Sequence, residues 1–182
     1  ARLMRRAPSL LVSAAVALAA LSTSGSARAD VSSWLSVQLG VAQLEWRDRS
    51  RHSRMLMPFD VGVGTPPSLP VMVGVGARLV PYFSEGFDYA AYVRLASQGY
   101  VTGRWGAAID GGAYTRAFGG GSSGWLGTLN LGGPWGIIAS GTYETGNTSA
   151  KTMSVTLGID LLRLTVYRLS GEQQWPNVNP AW

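Results

Sequence analysis

Apolar residues recur at every second position through most of the chain after residue 30, and this alternation limits the possible folds more than any other feature. Leu35, Val37, Leu39 and Val41 alternate with Ser36, Gln38, Gly40 and Ala42. Successive side chains of a β-strand point to opposite faces, so such a run lays one set on each side of a sheet. The pattern returns at Met57, Phe59, Val61 and Val63, from Val71 to Leu79, from Tyr89 to Leu95 and at odd positions from Val101 to Ala113. It returns again from Trp125 to Leu131, from Trp135 to Tyr143 and from Val155 to Leu161, with the last run extending toward Leu169. The 24 glycines, almost all after residue 30, add to the case against a helical bundle.

The other parity of these runs carries Asp60, Arg78, Asp88, Arg94, Arg104, Asp110, Glu144 and Asp160, among Gly, Thr, Ser and Asn. A soluble antiparallel sheet alternates in the same way, so the pattern alone leaves open which face is inside. Connections and aromatic residues bear on that choice. Residues 47–56, 82–87, 116–123 and 145–152 are expected to form the longer connections at one end. The segments 64–70, 97–99 and 132–134, mostly shorter and rich in Gly and Pro, fall at the other. Trp34, Tyr100, Trp135 and Tyr167 are expected near the second end; Trp46, Tyr82, Phe83, Phe87, Tyr114, Trp125 and Tyr143 near the first. Two rings of aromatics and unequal connections are the pattern of a transmembrane barrel.

The first residues carry an export signal. Arg5-Arg6 precede an apolar run from Leu10 to Leu21, followed by Ala27-Arg28-Ala29. A basic start, an apolar stretch too short to span a bilayer and an A-x-A site predict a signal peptide over residues 1–29, cleaved before Asp30. Four of the 15 basic residues fall there and none of the 10 acidic ones, so the remaining chain is nearly neutral. That balance offers no nucleic-acid footprint. The absence of cysteine excludes disulfides and a lipid-anchored cysteine.

Taken together, these residues make the chain similar in size and layout to small bacterial outer-membrane barrels of the OmpA transmembrane domain and OmpX class, over roughly residues 31 to 169. The resemblance implies an all-β fold, an up-and-down antiparallel transmembrane β-barrel of about eight strands, in the outer membrane. Residues 30–169 would form the barrel. Residues 170–182, interrupted by Pro176 and Pro180, would form an irregular periplasmic tail. Barrels of this class usually end on a strand with a terminal aromatic residue, and this tail departs from that.

Two groups of charges are candidate sites. Arg47, Arg49, Arg51 and Arg54 stand against Asp48, and guanidinium forks suit phosphate. They either bind lipopolysaccharide or form a solvated basic loop. Inside an eight-stranded barrel, charges must pair, so Arg78, Arg94 and Arg104 are expected to bond with Asp110, Glu144 and Asp160 in a lumen network. The single histidine, His52, stands beside Ser53 on an extended segment, where neighbours point apart. One His and no Cys leave no usual metal site, and no cofactor motif occurs. The sequence thus reads as a non-enzymatic outer-membrane barrel with a structural or surface-interaction role. The alternatives are a lipid-modifying enzyme of the outer leaflet, and a soluble lipocalin-like barrel holding a small hydrophobic ligand.

Overall fold

A computed structural model describes residues 31–46, 49–67, 69–102, 104–119, 121–147 and 150–165. The expected signal peptide and the tail from residue 170 lie outside the described residues. Nine strands follow one another: β1 (Ser32–Trp46), β2 (Arg49–Leu56), β3 (Phe59–Gly64), β4 (Val71–Tyr82), β5 (Gly86–Ser97), β6 (Gly106–Arg116), β7 (Ser122–Gly132), β8 (Ile137–Gly146) and β9 (Lys151–Asp160). Two short helices, α1 (Gln98–Val101) and α2 (Leu161–Thr165), and a 3-10 turn at Pro134–Gly136 complete the described chain.

β2 and β3 are one stave of the barrel. Met57-Pro58 interrupts the ladder without shifting it: Gly40 faces Leu56 and Val37 faces Phe59 in one continuous register along β1. Across the gap, Gln38 N donates to Pro58 O at 2.9 Å and Met57 N to Pro81 O at 3.0 Å. The result is a closed antiparallel barrel of eight staves, each paired with its neighbours in sequence and closed by β1 against β9. The circuit Trp34, Gly62, Gly76, Tyr92, Gly112, Leu126, Glu144, Thr152 returns to β1 at Leu44. That stagger tilts the staves against the barrel axis, as closure requires.

The alternation read from the sequence becomes one rule in three dimensions. Even-numbered residues of the staves point into the barrel and odd-numbered ones point out, from Trp34 to Asp160. Two kinds of glycine follow from it. An added Cβ at Gly76 would sit 2.5 Å from Cζ of Tyr92, and one at Gly74 would sit 2.6 Å from the Trp34 ring, so these inward glycines make room for rings laid against the wall. Gly111, Gly127 and Gly141 face outward with nothing near them.

Several expectations need correction. Residues 49–56, expected in a connection, form β2, because Arg54, Ser53 and His52 continue the β1 ladder opposite Ala42, Gln43 and Leu44. The fifth strand starts at Gly106 rather than Val101, since α1 occupies Gln98–Val101 with Thr102 N bonded to Gln98 O. The last strand ends at Asp160, whose carboxylate caps α2 by accepting from Leu162 N at 3.0 Å. The connections at the end holding Phe83–Glu85, termed the upper end, are tight. Those at the lower end hold α1 and the 3-10 turn, so the expected inequality is reversed. The aromatic rings divide differently as well. Trp34, Tyr82, Tyr100 and Tyr114 are buried inside, whereas Phe83, Phe87, Trp125, Trp135 and Tyr143 are exposed.

Candidate functional site

The inward face carries both charge and apolar side chains, arranged in layers. Near the upper end Ala42, Leu44, Leu56, Val80 and Tyr82 pack together, with Phe118 against them. Below them the Arg116 guanidinium donates to Asp88 at 2.7 Å and 3.0 Å, to Glu144 at 3.1 Å and to Thr152 Oγ1 at 2.9 Å. The rings of Phe118, Tyr82 and Tyr114 lie 5.0 to 5.6 Å from its Cζ, close enough to favour a cation.

The middle layer centres on Asp110. Arg94 Nε and Nη2 donate to its two oxygens at 2.6 and 2.8 Å, Arg78 Nη2 at 3.2 Å and Asn130 Nδ2 at 2.9 Å. Arg78 also holds Asp60 at 2.7 Å and Thr128 Oγ1 at 2.7 Å, and Ser140 Oγ donates to Asn130 Oδ1. On the apolar side, Arg94 stacks on Trp34, Tyr92 and Tyr100 at 4.7 to 5.5 Å. Trp34 Nε1 donates to Tyr92 Oη at 2.9 Å. At the lower end, Arg163 of α2 lies over Tyr100 and pairs with Asp160 at 3.5 Å. Burial pushes the Tyr100 hydroxyl above its ordinary range, with Arg94 and then Arg163 pulling the other way.

Of the six residues expected in the lumen network, Arg78, Arg94 and Asp110 come together directly. Glu144 and Asp160 are inside but pair with Arg116 and Arg163, which were not expected there. Arg104 is excluded from the network. It is exposed after α1, its N–H bonded to Gly99 O, because the chain leaves the wall at Ser97 and re-enters it at Gly106. Asp88, which follows the expected connection 82–87 and was not counted in the network, is fully buried. Parity was the signal that could have found Arg116: it continues the even series of Asp110 and Tyr114 but was assigned to the Gly-rich connection that follows.

The four arginines of the basic cluster do not form one site among the described residues. Arg47 lies outside the described residues, as does the side chain of Arg49. Arg51 points outward and bonds to Glu45 at 3.2 Å; Arg54, on the inward parity, reaches Glu85 of the upper turn at 2.8 Å. Lys151 stands opposite Glu45 on β9. His52 faces Leu44, and no described hydrogen bond involves its ring. No group of three or more His, Cys, Asp or Glu suited to a metal occurs among the described residues.

The outer face is the reverse of the interior. Leu39, Val41, Val61, Val73, Val75, Val93, Leu95, Ile109, Leu129, Leu131, Ile137, Val155 and Leu157 are all exposed, Ile109 and Val155 to 61% and 67%. Among the described side chains, the charged residues on the outward parity of the staves are Glu45, Arg51 and Lys151, all at the upper ends of β1, β2 and β9. Phe87, Tyr89, Trp125 and Tyr143 edge the belt above. Trp105 and Trp135 edge it below, Trp105 exposed to 80% and Trp125 to 72%. No described helix is long and apolar enough to cross a membrane, which leaves crossing by strands untouched.

No family model and no curated protein matches the chain. Among solved structures it is similar to Ail, the attachment invasion locus protein of Yersinia pestis, at 11% identity, covering 72% of this chain and 97% of that one with a TM-score of 0.28. A superposition that poor fixes neither fold nor function.

Proposed function

We propose that the protein is a bacterial outer-membrane barrel, non-enzymatic, with a structural or surface-interaction role. One observation carries this reading: the wall is apolar outside and charged inside, the inverse of a soluble domain. Monomeric soluble proteins rarely expose apolar patches beyond a few hundred Å², and here the belt runs round all eight staves. In lipid, a spanning structure must satisfy its backbone internally, which a closed barrel does. The filled, charged interior argues against a lipocalin-like ligand cavity, and no described hydrogen bond joins the His52 ring to the carboxylate or hydroxyl that a lipid hydrolase would need.

With the upper end toward the cell exterior, Arg51 and Lys151 flank Glu45 just above the apolar belt, at the level where outer-leaflet phosphates would lie. Arg47 and Arg49 are the further basic residues of this stretch of the sequence. This supports contact with lipopolysaccharide through charge-assisted hydrogen bonds.

The test is purification of the chain without its first 29 residues, with and without detergent. A barrel that faces lipid stays monodisperse only in detergent and migrates faster unboiled than boiled on a denaturing gel. Monodisperse, folded protein in plain buffer would overturn the reading.

A further inference from the structure

Two side chains that do not come from the staves fill the lower mouth of the barrel. Tyr100 belongs to α1 and Arg163 to α2, and both turn inward, 2% and 4% exposed. Arg163 Cζ lies 5.0 Å from the centre of the Tyr100 ring. Gly132 of β7 makes this approach possible. A Cβ added there would sit 2.8 Å from Tyr100 Cδ2, 3.0 Å from its Cε2 and 3.6 Å from Arg163 Nη1. The ring edge and the guanidinium therefore meet against one bare stretch of backbone.

Of the buried arginines described, Arg163 is the least neutralised. Arg78, Arg94 and Arg116 each hold a carboxylate oxygen at 2.6 to 2.7 Å, whereas Arg163 Nε stands 3.5 Å from Asp160 Oδ2. The other oxygen of Asp160 is turned to the backbone, accepting from Leu162 N at 3.0 Å, Arg163 N at 3.4 Å and Leu35 N at 3.5 Å. Burial pushes the Arg163 guanidinium below its ordinary range, and Asp160 and Tyr100 only partly oppose it. A buried cation is costly unless it is paired and hydrogen-bonded. Arg163 Nη1 and Tyr100 Oη are both buried, and neither has an acceptor within hydrogen-bond distance among the described residues.

We propose that Arg163 Nη1 and Tyr100 Oη together bind a chloride ion inside the lower mouth, beside Gly132. A guanidinium N–H can only donate, and the phenol beside it has a proton to give, so the pair suits an anion and not a cation. A single-atom ion fits better than phosphate or carboxylate, whose further oxygens would need donors that this buried corner does not offer. The charge-assisted bond from Nη1 would supply the neutralisation that the long contact to Asp160 leaves short. The ion would also join α1 to α2 across the mouth. The site lies inside the wall, so the proposal goes beyond the membrane reading and does not rest on it.

The probe is chloride itself. The full chain is unfolded by urea in non-ionic micelles at one ionic strength, with sodium gluconate replaced stepwise by sodium chloride. Above the dissociation constant, each tenfold rise in chloride should multiply the folding constant of the parent by about ten. Arg163→Gln should abolish this dependence. Tyr100→Phe keeps the ring and loses one donor, so it should weaken chloride binding about fivefold; it carries the test if Arg163→Gln does not fold. In crystals grown with bromide, an anomalous peak should stand within hydrogen-bond reach of both donor atoms. No chloride dependence in the parent would overturn the proposal. So would the same dependence in the parent and the variants, which would mark a general salt effect. A water at this place with no bromide peak would overturn it as well. A bromide peak without chloride dependence would be an adventitious ion only, with the same consequence.

Discussion

Arg94 and Asp110 stand directly opposite each other on β5 and β6, and their side chains meet through two hydrogen bonds of 2.6 and 2.8 Å. The register of the sheet thus supplies an ion pair that the interior could not otherwise tolerate. Because Arg78 and Asn130 bond to the same carboxylate, its removal strands more than one partner. Asp110→Ala should cost about 3–5 kcal/mol of stability in micelles, the range for a broken buried pair. Glu144→Ala should cost less, since Arg116 keeps Asp88. Urea unfolding of the two variants checks the order; equal losses would show that Asp110 is not the hub.

The inward and outward glycines make opposite predictions. Gly76→Leu should destabilise by about 1–3 kcal/mol, the usual range for overpacking, because its side chain would occupy the space of the Tyr92 ring. Gly127→Ala, facing outward with nothing within 4 Å, should be neutral or slightly stabilising. Midpoints of thermal or denaturant unfolding distinguish them, and a destabilised Gly127→Ala would mean the outer face is more crowded than its geometry indicates.

Depth in the belt can be probed with arginine. Val93→Arg and Ile109→Arg put a charge in the exposed apolar belt and should each cost about 2–4 kcal/mol in a bilayer, falling to about 0–1 kcal/mol for Thr115→Arg near the upper end. Folding yield into vesicles, read by the gel shift, measures this. A lumen position is a poor control here: Thr128 is buried against Arg78, so an arginine there would repel the network. Indifference at Val93 and Ile109 would mean that the belt does not meet lipid.

The wall is complete without the tail. β9 pairs with β1 from Lys151 opposite Glu45 to Asp160 opposite Ser36, so every stave has both neighbours before α2 begins. Deleting residues 171–182 should leave a heat-modifiable barrel. Loss of insertion on that deletion would give the tail a part in assembly.

The alternation made the staves legible because a two-residue period is a local property, and the strand that forms from it keeps that parity. Ile109 outward and Asp110 inward follow from their neighbours alone. Pairing was less legible, because it depends on which staves lie together. Arg116 falls at the start of the Gly-rich stretch 116–123 and Asp88 just past the connection 82–87, so nothing local links them, whereas the register sets them opposite each other. Arg104 failed for a different reason. One helical turn at Gln98–Val101 breaks the count, and parity has no meaning across it. The inward rings were missed because strand-end aromatics look alike from the sequence whether they face lipid or fill the space left by Gly74 and Gly76.

The pairing of the first strand with the last also fixes an order of events. Hairpins such as β4–β5 and β6–β7 join residues close in the chain, whereas β1 meets β9 across a separation of 125 residues at Leu35 and Asp160. Loop-closure entropy makes such a contact slow. While the chain folds, β1 must therefore wait, its edge bare, until the whole sheet exists. The intermediate before closure is the stage at which the chain is most exposed to mispairing, and an escort that holds it would protect the protein for that interval.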